Sequence, residues 1–183
     1  MLRYAEARPG GDDVEWLLGD SRAITPVRAD VALMTGNVAM HVPIEDWNRT
    51  LGDFHDCLVP GGTLAFETRN PAVRSWEGWA DGPSTRDTPV GRLTEWMEVD
   101  PPGPDGLLTY RAHNLFEETG EHVVETETLV LRSLPQLRED LVAAGLVIEA
   151  AYGGWDGRPI GDNQPLFVLV SRRYAAALSA AIL

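Results

Sequence analysis

The sequence predicts an α/β domain, a mostly parallel sheet into which an antiparallel meander is inserted. Three observations predict it. Residues 30–35, 44–58 and 63–67 read as strand, helix and strand: two short apolar runs flank an amphipathic segment. Residues 92–99, 107–116 and 122–131 alternate apolar and polar, the last of them best, between turn-forming stretches. Residues 133–144 then form a helical pattern that leads into apolar runs at 146–152 and 166–170, closing the α/β layer.

Each element has its own warrant. Residues 1–8 read as the end of a helix stopped by Pro9-Gly10-Gly11, and residues 14–18 as a short apolar strand closed by Gly19-Asp20. In the 44–58 helix, Ile44, Trp47, Leu51, Phe54 and Leu58 recur at spacings of three and four, which makes one buried face. Pro60-Gly61-Gly62 is expected to end that helix and turn the chain into the strand at 63–67, in a right-handed crossover with the two strands parallel. Ser133 and Gly145 sit where an N-cap and a left-handed C′ residue belong. The organisation expected is one domain: α/β units over 1–72, a lid segment and meander over 73–132, and a closing helix and strand pair over 133–183.

Composition excludes several chemistries. With 28 acidic against 15 basic residues and a net charge of -13, the surface repels a phosphate backbone, so nucleic acid is not the expected partner. Every basic residue is arginine, which removes lysine Schiff-base chemistry. The single cysteine, Cys57, permits neither an internal disulfide nor a thiolate zinc cluster, and it reads as a buried helix residue. The four histidines lack metal-triad spacing, so no metal site is expected. No apolar run, the tail at 174–183 included, is long enough to span a bilayer. With no signal-peptide pattern, the default expectation is a cytoplasmic protein without a membrane partner.

Four stretches, in order, carry a resemblance. Leu17-Leu18-Gly19-Asp20-Ser21 resembles an acidic motif at a strand end, and Asp30 to His41 resembles a cofactor strand with its loop. Leu58-Val-Pro-Gly-Gly-Thr-Leu resembles an L-x-P-G-G-x-L step, and Leu137 to Glu149 a closing helix and strand. Together they resemble the class I S-adenosylmethionine (SAM)-dependent methyltransferases that act on small molecules, along nearly the whole chain. The resemblance implies a Rossmann-like sheet, SAM as cofactor, a small-molecule acceptor, and a transferase. It also implies a departure: the glycine-rich loop and ribose-binding carboxylate of that family have no counterpart. Residues 2–8 resemble the helix after the ribose-binding strand. The expectation is therefore an N-terminally truncated domain lacking its first two strands, with an exposed apolar seam that a dimer partner would cover. The alternative is a non-catalytic remnant or interaction module.

On that resemblance the cofactor-side residues are Asp20, Ser21, Thr35, Gly36 and Asn37. Asp20 would accept from the adenine amino group; the competing reading is a turn or cap aspartate. His41 is the candidate general base, against a solvent histidine. Arg69 and Asn70 follow a strand at its carboxyl edge, where ligands of open α/β sheets bind. Trp76 and Trp79 suit an apolar substrate wall or, equally, the core of a lid. Residues 153–165, with Asp162 and Asn163, read as a turn-rich connection. Glu95, Glu98, Glu125 and Glu127 read as a solvated strand face. Alternation means that Tyr110 and Arg111 cannot both point inward.

Overall fold

The structure, a computed structural model, describes residues 2–24, 26–161 and 163–174. Asp162 and residues 175–183 of the tail lie outside them. The elements in order are α1 (Leu2–Glu6), β1 (Ala29–Met34), α2 (Val38–His41), α3 (Ile44–Cys57), β2 (Leu58–Arg69), β3 (Ser84–Thr88), β4 (Gly91–Asp100), β5 (Leu107–Phe116), β6 (Glu121–Val130), α4 (Leu134–Ala143), β7 (Leu146–Tyr152) and β8 (Leu166–Arg173).

They form two four-stranded sheets, ordered β1-β2-β8-β7 and β3-β4-β5-β6. In the first, β1 and β2 run parallel, as the α3 crossover requires, and β8 runs antiparallel to both β2 and β7. The second is the inserted meander, antiparallel throughout.

The apolar face of α3 explains the main core. Trp47 and Leu51 pack beside Leu64 and Phe66 of β2, Leu137 and Leu141 of α4, and Leu146 and Leu169 of the closing strands. The Trp47 and Phe66 rings meet edge to face, with centroids 5.8 Å apart. The α4 helix has the expected caps: the Ser133 hydroxyl accepts from the Gln136 N–H, and Gly145 is left-handed at φ 77°.

Three expectations are corrected. Residues 14–18 are not a strand: β1 pairs only with β2, so the run has no ladder to join and Leu18 is left 89% exposed. Pro60-Gly61-Gly62 does not end α3, which stops at Cys57. The three residues lie inside β2 as a bulge, where the pairing jumps from Ala29–Leu58 to Val31–Thr63. A Cβ on Gly62 would sit 2.9 Å from the Val59 carbonyl oxygen, so glycine is what lets the chains close there. Finally, the meander has a further strand, β3, whose sequence Ser-Thr-Arg-Asp-Thr carries no apolar signal because it is an exposed edge.

The outer edge of β1 is unpaired among the described residues, and Val31 and Leu33 project from it 58% and 61% exposed. That is the apolar seam expected from the sequence.

Candidate functional site

The site is built around one short segment, residues 35–43, at the carboxyl edge of β1 and β2. Gly36 and Asn37 are both left-handed (φ 71° and 61°), a conformation glycine adopts freely and asparagine tolerates. They turn the chain into the single turn of α2. A helix that short has no stability of its own. Two buried charges hold it. At its start the Asn37 N–H donates to Glu67 Oε1 at 3.0 Å. At its end Arg132 donates to the carbonyls of Ala39 and Val42 at 2.9 and 2.7 Å.

Glu67 is 7% exposed, and its second oxygen accepts from the Trp155 indole. Arg132 is 2% exposed and lies 4.2 Å above the Trp47 ring, whose N–H donates to Asp140. Burial pushes the Arg132 guanidinium down to about 10.

Two cavities flank this segment. The first, about 640 Å³, runs between residues 17–24, the end of β1 and α3, with Leu17, Ile24 and Leu33 on its apolar wall. The second, about 440 Å³, lies between the same loop and the inner face of the meander, with Trp79, Met97, Tyr110 and Leu129 on its wall. Both volumes suit a small organic ligand. His41 lines both of them.

His41 is held from the meander. Its Nδ1 lies 3.1 Å from Glu127 Oε2, and the Tyr110 hydroxyl donates to the same oxygen at 2.8 Å. Burial and then Glu127 push the Tyr110 phenol up to about 12, so it stays a neutral donor.

The sequence-derived residues divide between the cavities. Asp20, Ser21 and Thr35 line the first; Gly36, Asn37, Arg69 and Trp79 line the second. The resemblance groups Gly36 and Asn37 with Asp20 on the cofactor side, but the His41 segment separates them into different cavities. Asp20 also fills its turn role: its Oδ1 accepts from the Arg22 N–H at 3.0 Å, and the Arg22 guanidinium holds its carboxyl at about 2. The Ser21 hydroxyl donates to Asp53 at 2.6 Å and accepts from Arg49 at 2.9 Å.

Two expected substrate residues lie elsewhere. Asn70 is buried, with its amide spent on the Gln164 carbonyl and the Ala72 N–H, both at 3.0 Å, so it fastens loops. Trp76 is 6% exposed in a second core cluster with Met40, Leu108, Leu129 and Leu131. Tyr110 faces the cavity, while Arg111 faces away onto Glu98 and Asp100.

Sequence reasoning missed Glu67, Arg132 and the role of Glu127. Glu127 was assigned to a solvated face. The signal that could have found it is its place opposite Tyr110, which needs the β5–β6 register. Among the described residues no group of three metal-ligating side chains could hold an ion, and no helix is long and apolar enough to cross a membrane.

No protein-family model and no curated protein matches this chain. Solved structures do. The CcbJ methyltransferase from Streptomyces caelestis superposes with a TM-score of 0.74 at 19% identity over 94% of this chain. A SAM-dependent methyltransferase from Clostridium acetobutylicum gives 0.65 at 9% identity over 83% of it. CalS10, an amino pentose methyltransferase from Micromonospora echinaspora solved with SAM bound, gives 0.57 at 18% identity over 85% of it. The chain spans 73% of the first of these proteins and 63% of each of the other two. It has the Rossmann-like fold of the class I SAM-dependent methyltransferases.

Proposed function

We propose that, on this fold, the chain serves SAM-dependent methyl transfer to a small-molecule acceptor, with cofactor in the first cavity and acceptor in the second. The observation that carries this is His41, the residue common to both cavities and oriented by the half-exposed Glu127 carboxylate.

The first cavity fits the adenine end of the cofactor. Leu17, Ile24 and Leu33 offer apolar surface to a flat ring, and Asp20 brings a carboxylate to its rim. Both of its acids are already paired, Asp20 with Arg22 and Asp46 with Arg49 at 3.0 Å, so the cofactor's polar groups find fewer partners among the described residues. Free SAM should therefore bind this chain weakly.

Bound SAM supplies a sulfonium methyl group, an electrophile that needs little further activation. The chain's own residues orient the acceptor and take its proton. Glu127 favours the His41 tautomer with its proton on Nδ1, which leaves Nε2 as the basic atom. Tyr110 fixes Glu127 in turn, so the imidazole is held by a two-member relay.

Titration calorimetry with S-adenosylhomocysteine and SAM tests the reading. Binding weaker than about 100 μM but saturable is expected, consistent with a partly furnished cavity. His41→Ala should lower methyl transfer to an amine or hydroxyl acceptor by about 10²-fold or more, the usual contribution of a general base. No heat at several millimolar ligand would return the chain to a non-catalytic binding or interaction role.

A further inference from the structure

We propose that the second cavity takes an acceptor bearing a carboxylate, and that Arg69 is the residue that reads it. The proposal rests on the assignment of this cavity to the acceptor.

Arg69 ends β2 and lines the cavity, half-buried. Its guanidinium carbon lies 5.6 Å from the centroid of the Trp79 ring. Among the described residues this is its only close partner: no hydrogen bond or ion pair engages its N–H groups. The contrast within the chain is informative. Arg49, Arg111 and Arg132 each donate at least twice to protein oxygens. Arg69 thus keeps its N–H groups free of protein acceptors at the cavity wall, where a ligand can take them up.

The aromatic contact shows how it would be completed. An indole against the guanidinium restrains its plane and leaves the in-plane N–H fork available. That fork matches the two oxygens of a carboxylate. Charge selects a carboxylate over a phosphate. Asp81 lines the same cavity, and the chain carries a net charge of -13, so a dianion would be repelled where a monoanion beside one arginine is not. The apolar wall of Trp79, Met97 and Leu129 calls for a hydrophobic body between the acid and the group methylated near His41.

A matched pair of probes isolates the acid. 4-Aminobenzoate and 4-aminobenzamide share shape and amine and differ in the charge offered to Arg69. Binding to the full chain is measured by calorimetry and saturation-transfer NMR, without cofactor. The acid should bind about tenfold or more tighter than the amide, as a charged, bidentate hydrogen bond implies. Arg69→Gln should abolish that preference. Arg69→Lys, which keeps charge without the fork, should retain part of it. Equal affinity for the two probes, no binding of either, or a preference that survives Arg69→Gln overturns the proposal. If the acid preference holds but no acceptor is methylated with SAM, the methyl-transfer reading fails and the Arg69 site stands as a carboxylate-binding site.

Discussion

Replacing Arg132 by methionine should destabilise the protein by about 3 kcal/mol. The size follows from what the guanidinium touches. Removing it leaves the Ala39 and Val42 carbonyls, held at 2.9 and 2.7 Å, without their donors. A buried acceptor left unpaired costs roughly 1–3 kcal/mol. The contact with Trp47 at 4.2 Å is lost as well, worth about 1–2 kcal/mol where desolvated. Against this, methionine fills much of the space and no longer has to bury a charge. Burial disfavours that charge, pushing the guanidinium down to about 10. The partial refund brings the balance to about 3 kcal/mol, well within the 5–15 kcal/mol typical of a domain, so the variant should still fold. Urea denaturation followed by circular dichroism measures it, as a lower midpoint at unchanged slope. A loss below about 1 kcal/mol would refute the reasoning, because it would mean that water already serves those carbonyls.

Other outcomes follow from the same contacts. Leu33→Lys, at a position 61% exposed on an unpaired edge, should change stability by less than about 0.5 kcal/mol yet reduce self-association in light scattering; unchanged association would clear the β1 edge of that role. Asp20 has a folded-state value of about 2 against an ordinary 3.8, so its contribution is fully present above 3.8 and is lost as pH falls toward 2. Asp20→Asn should flatten the acid limb of the thermal midpoint in that window, modestly because the pair is exposed, and parallel pH curves would contradict it. Tyr110→Phe should lower methyl transfer alike at limiting and at saturating acceptor, since the phenol orients Glu127 and through it His41; a raised KM at unchanged saturating rate would not fit.

What was legible in the sequence was whatever local periodicity and end signals specify. The α3 stripe of Trp47, Leu51 and Phe54, the Ser133 cap and the Gly145 C′ turn act within a few residues, and so could be read directly, whereas Ile44, expected on the same face, is 46% exposed at the helix start. The parallel pairing of β1 with β2 followed from the crossover. Residues 14–18 misled because a strand is defined by its partner, and the apolar run alone says nothing about whether one lies alongside. The strand β3 was silent for the opposite reason, having a partner but no buried face. The site residues that escaped, Glu67, Arg132 and Glu127, act across 30 or more residues, on Asn37, on Ala39 and on His41. The pairing of β1 with β2 brings Glu67 to Asn37, and the packing of the meander against α2 brings Arg132 and Glu127 to theirs.

That packing gives the site its rigidity. Glu67 comes from the first sheet and Arg132 from the exit of the second, and each is buried and hydrogen-bonded to the α2 backbone. The carboxylate takes an N–H at the start of α2 and the arginine takes carbonyls at its end, the matching sign at each. Neither touches the other, so their mutational effects should add if each merely stabilises its own surroundings. If both act by clamping α2, the first loss already loosens the segment and the second has less to remove. In a double-mutant cycle, Glu67→Gln with Arg132→Met should then destabilise by less than the two single losses together, by about 0.5 kcal/mol or more. Strict additivity would show that His41 is placed by its own contact with Glu127 and that the two buried charges are independent.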